Sequence, residues 1–200
     1  MESTLQEKLE QAVWVAHSLF DRGRTSGSSA NMSFLHQGNV YITASGTCFG
    51  RLTENDFAVV DGNGRNLSAK RASKEYPLHR DYYKKNPAIQ CVIHTHGPWA
   101  VLWSCRAFDR QEDIIPRYTP YLEMKVGKIA LVPYAPPGSP ELFSAFQESV
   151  SKGDAFLLKN HGGIVGGTSI LEAFYGIEEL EESARVACMI ERNGIYEKIY

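Results

Sequence analysis

Two histidines separated by one residue, His94 and His96, stand in the run Val92-Ile93-His94-Thr95-His96-Gly97. Side chains alternate along a strand, so both imidazoles face one way and Thr95 the other. Two imidazoles at a strand end begin a metal site; zinc takes nitrogen or oxygen ligands at about 2.0–2.2 Å in a tetrahedron. A third histidine, His161, follows the apolar run Ala155–Leu158 and precedes a glycine-rich stretch, 162–167. Its glycines let the backbone turn tightly and let other groups approach. Glu75 supplies a carboxylate. Three imidazoles and Glu75 would close a tetrahedral zinc site, against the alternative of two unrelated histidines in a strand. If substrate displaces Glu75, the metal gains open positions and the freed carboxylate becomes an acid/base beside it. Glu75 also stands four residues before His79, a helical pair able to hold a metal from one face. His79 lies beside Tyr82 and Tyr83, an environment more typical of a structural histidine, and ranks below His94 and His96. His17 reads as a polar boundary residue of a helix.

Two stretches of small hydroxyl residues carry a second kind of chemistry. Thr25–Ser33 crowds serines, a glycine and Asn31 together, and Thr43-Ala-Ser45-Gly46-Thr47 repeats the pattern straight after a strand. Such loops are either solvated surface or a cradle in which N–H groups and hydroxyls converge on a phosphate. Pro77 is tolerated only in a first turn, so a helix starting near Ala72 puts Ser73 at its N-cap and Glu75 at its entrance. The positive end of the helix dipole lies there.

The elements that must position these groups follow from periodicity. Apolar spacing predicts helices over Leu5–Arg22, Ala72–Lys85, Trp99–Cys105, Ser139–Lys152 and Ser169–Arg192, with a short one from Thr119 or Pro120 to near Gly127. Strands are predicted over Met32–His36, Asn39–Thr43, Phe57–Val60, Gln90–His96, Ile129–Val132 and Ala155–Leu158, with a hairpin turn at Gln37-Gly38. The acidic run Glu178, Glu179, Glu181, Glu182 reads as a solvated face or a subunit contact.

With 200 residues, 43% of them hydrophobic and 22% charged, the chain fits one globular domain spanning 1–200. A net charge of −2 leaves no global electrostatic case for nucleic acid or an anionic membrane. No stretch approaches the roughly 20 apolar residues of a membrane span. The N-terminal residues read as acidic and helical rather than as a secretory signal. The four cysteines are scattered without a CxxC pair, which favours reduced cytoplasmic thiols.

Taken together, Ser73-Lys74-Glu75, His94-Thr95-His96 and Asn160-His161-Gly162 resemble the motifs of the class II aldolase/adducin family, over about Leu9 to Arg192. Within it, Ser73-Lys74-Glu75, Pro116–Tyr121, Leu131–Tyr134 and Glu178–Glu182 are similar to the 3-oxo-tetronate 4-phosphate decarboxylases. Fuculose-phosphate aldolases usually carry a second serine where Lys74 stands. The resemblance implies an α/β fold: a three-layer α/β/α sandwich on a mixed, mostly antiparallel sheet. It implies one zinc or other divalent ion per chain on Glu75, His94, His96 and His161, with Glu75 doubling as acid/base. It implies a phosphate cradle at Ala30-Asn31, Ser45-Gly46 and Ser73, where the family often has glycine at the Ala30 position. The partner would be a small phosphorylated sugar or sugar acid, and the enzyme a homo-oligomer, a tetramer with active sites at subunit interfaces. A carboxylate-bearing substrate needs a cation, for which Lys74 and Arg117 are candidates; Tyr118 or Tyr121 could reach the substrate. The other activities open on this scaffold are a sugar-phosphate aldolase, an epimerase or dehydratase, and a non-enzymatic adducin-like module.

Overall fold

A computed structural model describes residues 3–194. Helix α1 (Leu5–Asp21) opens on a capping box between Thr4 and Glu7 and buries the stripe Ala12, Val15, Ala16 and Leu19. Strands β1 (Asn31–His36) and β2 (Asn39–Thr43) form a hairpin over Gln37-Gly38. Both turn residues take positive φ, +48° and +77°, the signature of the tight turn that suits strand twist. β3 (Phe57–Val60), α2 (Tyr76–Lys85), β4 (Cys91–Thr95), α3 (Pro98–Ser104), α4 (Tyr121–Lys125) and β5 (Ile129–Val132) follow. α5 (Pro140–Ser149) is capped by Ser139, whose hydroxyl accepts from the Leu142 N–H. The described chain ends with β6 (Ala155–Leu158), β7 (Gly162–Gly167) and α6 (Ile170–Asn193).

Among the described residues seven strands form one sheet in the order β3-β2-β1-β4-β7-β6-β5, antiparallel throughout except for the β5–β6 pair. Strand alternation sorts the core into two layers. Cys91, Ile93, Leu157 and Val165 face a cluster supplied by α1, α3, α4 and α6. Val92, Phe156, Leu158 and Ile164 face the opposite cluster, built from α2 and α5. The sheet therefore lies between two helical layers, the expected mixed α/β/α sandwich. Among the described residues no helix is long and apolar enough to cross a membrane. The expected span 1–200 and the N-terminal reading include Met1, Glu2 and residues 195–200, which lie outside the described residues.

Several element bounds differ from expectation. The strand expected over Gln90–His96 ends at Thr95, leaving His96 just beyond it. The helix expected from Ala72 begins at Tyr76, with Glu75 as its N-cap at φ −93°, ψ 9°. The largest difference is β7. The glycine-rich stretch, expected to turn, is a strand paired on both sides, with β4 and β6. Its glycines do not turn the chain, but they admit close neighbours, the other role expected of them. A Cβ on Gly167 would collide with the backbone of Ala173 in α6, one on Gly162 with the Thr95 carbonyl, and one on Gly166 would stand 2.6 Å from the Tyr82 ring. Low β-propensity hides this strand; the Ile164-Val165 pair at its centre is its sequence signal.

Gly167→Ala is expected to lower stability by about 1–3 kcal/mol through overpacking against backbone. Gly62→Ala, whose Cβ would meet only the Gly38 carbonyl at 3.9 Å, should change it little. Urea unfolding midpoints of the two variants check this.

Candidate active site

The register of the sheet assembles the first part of the site. Asn31 of β1 lies directly opposite His94 of β4, and His94 opposite Ile164 of β7. Asn31 and His94 thus share the sheet face that α2 covers. His161 precedes β7 and reaches the same point. Its ring centroid lies 4.9 Å from that of His94 and 4.6 Å from that of His96. One nitrogen from each of the three imidazoles falls within 4.8 Å of the others. The Nε2 atoms of His94 and His96 are 3.1 Å apart. Glu75 spans the cluster: Oε2 is 3.5 Å from His94 Nε2, and Oε1 is 3.5 Å from His161 Nε2.

The donor set fits a metal ion. His94 Nδ1–H donates to the Gly163 carbonyl at 2.9 Å, which leaves the Nε2 lone pair facing the cluster. Both ring nitrogens of His161 are buried without a hydrogen-bond partner among the described residues. Burial, then the neighbouring His96, lowers the His94 pKa to about 3. Burial and His94 bring His161 to about 3 as well, and His96 is lowered mainly by burial. The imidazoles are therefore neutral at physiological pH, the state a metal requires.

The turn after His96 is braced by a residue whose role the sequence does not reveal. Glu181 of α6 is buried rather than solvated. It accepts hydrogen bonds from the N–H groups of Trp99 at 2.9 Å and Ala100 at 2.8 Å, at the start of α3. A Cβ at Gly97 would collide with this carboxylate. Its neighbours are half-buried and paired: Glu178 with Arg22, and Glu182 with Arg185 and Arg24.

A cavity of about 160 Å³ opens onto the cluster. Ser28, Ser29, Ala30 and Asn31 line one side, Ala44, Ser45, Gly46 and Ser73 another, and Lys74, Glu75, His96, His161 and Pro137 the rest. Both hydroxyl-rich loops thus meet at one place. Ala30 takes no positive φ, so the absence of glycine there strains nothing. The Ser45 N–H is already donated to the Arg71 carbonyl, which leaves that residue its hydroxyl for a ligand. Ser73 is not the N-cap; its hydroxyl accepts from the Glu75 N–H at 3.3 Å. Lys74 is exposed at the cavity, its Nζ donating to the Pro137 carbonyl at 3.3 Å.

Other expected residues lie elsewhere. Arg117 does not line the cavity; its guanidinium is held by Asp113 and Glu123. Tyr121 is exposed, and Tyr118 is half-buried against the core cluster. His79 is no part of the metal cluster. Glu75 precedes the helical backbone, so the i, i+4 geometry does not hold, and Asn31 stands between the two side chains. His17 is a boundary residue, its Nε2–H donating to the Leu52 carbonyl.

Residues 10–188 match the family described as Class II Aldolase and Adducin N-terminal domain. The chain is 36% identical over 187 residues to the 3-oxo-tetronate 4-phosphate decarboxylase of Escherichia coli K12, covering 93% of this chain and 87% of that protein. It is 35% identical over 176 residues to an L-fuculose phosphate aldolase of Methanococcus maripaludis C7, covering 88% and 93%. The solved structure of YgbL from Klebsiella pneumoniae superposes with a TM-score of 0.93 at 36% identity, over 100% of this chain and 96% of that one.

The depressed histidines set a pH dependence of stability. His79 and His94 have folded pKa values of about 3, against about 6.5 in an unfolded chain. The folded state binds fewer protons between those values. Their contribution is therefore complete above pH ~6.5 and is lost as pH falls toward 3, at about 1.4 kcal/mol per pH unit for each group. Urea midpoints of chelator-treated protein should fall steadily from roughly pH 7 to pH 4; a flat profile would contradict neutral buried imidazoles.

Proposed function

The chain belongs to the class II aldolase and adducin family, and from that membership we propose that it is a zinc-dependent carboxy-lyase acting on a sugar-acid phosphate. Its reaction converts a 3-oxo-tetronate 4-phosphate into dihydroxyacetone phosphate and CO2. The observation that carries this reading is the shared cavity: hydroxyl-rich loops, the histidine–glutamate cluster and the Lys74 ammonium line one space. Phosphate, ketone and carboxylate ends of one small substrate each have a chemically matched wall.

Held by His94, His96, His161 and Glu75, a divalent cation supplies Lewis-acid stabilisation of charge developing on a ketone oxygen. The protein's own groups do the rest. Ser45, Gly46, Ser73 and Asn31 bind and orient the phosphate end. Lys74 binds the substrate carboxylate and sets it beside the ketone. The C1–C2 bond breaks, its electron pair moves to C2 as the C2–C3 enediolate, and CO2 departs. Glu75 carries a proton to C2, which completes dihydroxyacetone phosphate. Arg117, paired with two carboxylates, is not available for this within one chain. Residues 1–200 act as one domain, and the enzyme works as a cytoplasmic homotetramer. The free state of all four cysteines and exposed Trp14, Tyr121 and Met124 support that placement and assembly.

The second reading is a sugar-phosphate aldolase, favoured by the fuculose-phosphate aldolase relative at nearly the same identity. The cation at position 74 supports the decarboxylase over it, because an aldolase substrate presents no carboxylate to bind.

Purified enzyme is expected to hold about one zinc per chain and to release CO2 stoichiometrically with dihydroxyacetone phosphate. Release of lactaldehyde or glycolaldehyde from fuculose- or rhamnulose-type phosphates instead would establish the aldolase; full activity of metal-free protein would end both readings. Glu75→Gln should lower kcat by about 10²–10⁴-fold while the protein stays folded. Wild-type turnover in that variant would exclude the proton-carrying role.

A further inference from the structure

Behind the cavity runs a buried chain of polar groups whose far members, Tyr83, Ser33 and His79, the chemistry above does not use, and which ends on Asn31 and Glu75. Tyr83 Oη lies 2.7 Å from Ser33 Oγ, Ser33 Oγ lies 2.8 Å from His79 Nδ1, and His79 Nε2 lies 2.6 Å from Asn31 Oδ1. The Asn31 amide nitrogen then donates to Glu75 Oε2 at 2.9 Å. His79 is wholly inaccessible to solvent, and Ser33 likewise.

Only one set of protons satisfies this chain when Glu75 is ionised. The carboxylate accepts, so the amide atom beside it is nitrogen and the far atom is the carbonyl oxygen. That oxygen also only accepts, so His79 Nε2 must carry the hydrogen. A neutral imidazole has one N–H, so Nδ1 is bare and Ser33 must donate to it. Tyr83 then donates to Ser33. Burial keeps the imidazole neutral. With the amide set this way, one Asn31 N–H points at Glu75. The other has no partner among the described residues, on a side chain that lines the cavity.

We infer that His79 is a positioning residue: its Nε2–H fixes the amide of Asn31, and through it holds the Glu75 carboxylate in place for metal and substrate. The inference rests on the proposed metal-dependent reading. The amide orientation matters because a flipped Asn31 would set its oxygen against the Glu75 carboxylate, acceptor facing acceptor. Outer partners of metal ligands commonly change affinity or activity by about 10–100-fold when removed.

The test compares the zinc-loaded full chain with His79→Leu, His79→Gln and Ser33→Ala. Zinc affinity is read by competition with a chromophoric chelator, kcat by substrate turnover, and folding by circular dichroism and urea melts. Glutamine keeps a donor near the Nε2 position; leucine does not. His79→Leu should lose about 10–100-fold in both zinc affinity and kcat. His79→Gln should recover most of that loss. Ser33→Ala, nearly isosteric, should lose an intermediate amount by freeing the imidazole tautomer. It also keeps the test decisive if His79→Leu does not fold. Equal losses in the leucine and glutamine variants, or unchanged zinc affinity in folded His79→Leu and Ser33→Ala, would overturn the inference. Failure of the wild-type chain itself to bind a divalent metal would instead overturn the functional reading, so the two failures are distinguishable.

Discussion

The antiparallel pairing of β4 with β7 is the constraint on which the site depends. It sets Thr95 against Gly163 and His94 against Ile164. One consequence is chemical: the Gly163 carbonyl receives the His94 Nδ1–H and so determines which nitrogen of that ring faces the cluster. Another is positional: His161 enters at the start of β7, so its distance from His94 and His96 is governed by strand register. The pairing is possible only because β7 carries almost no side-chain bulk where its neighbours press closest. Leu180 of α6, Tyr82 of α2 and the Ala173 backbone occupy space that Cβ atoms on Gly163, Gly166 and Gly167 would need.

The electrostatics follow from the same burial. Three imidazoles kept neutral chiefly by burial surround the Glu75 side chain. Neutral ring nitrogens beside a carboxyl group form a donor set that a divalent cation can occupy. The exposed side of the cavity is different in kind: hydroxyls, backbone and one ammonium, all suited to an anion that arrives from solvent. The dry and wet walls meet at Glu75, the position from which we propose that it acts both as ligand and as acid/base.

Much of this is legible in the chain. The period of two in a strand places His94 and His96 together, and the paired hydroxyl-rich loops converge as their composition suggests. Helix signals locate α1, α5 and α6 to within a few residues, because caps such as Ser139 and Ser169 act through neighbours in sequence. Misreadings cluster where long-range contacts override local preference. β7 reads locally as a glycine turn, since nothing nearby announces that α6 and β4 will crowd it. Glu181 reads as part of a solvated face, since its partners at Trp99 and Ala100 lie about eighty positions away. Arg117 offers a free cation in the sequence, whereas Asp113 and Glu123 fold against it.

The sequence by itself determined the inventory: three imidazoles, one carboxylate, two hydroxyl-rich loops and a lysine beside the carboxylate, each placed at the end of an element by local periodicity. Only the tertiary structure decided which of these act together. His79 illustrates the difference. Its spacing from Glu75 is that of two residues on one helix face, yet Glu75 sits at the N-cap, where the backbone is not helical. The side chains diverge, Asn31 enters from β1 between them, and a candidate ligand becomes the residue that orients the amide. Local periodicity places a side chain on an element; sheet register and helix packing decide what it touches.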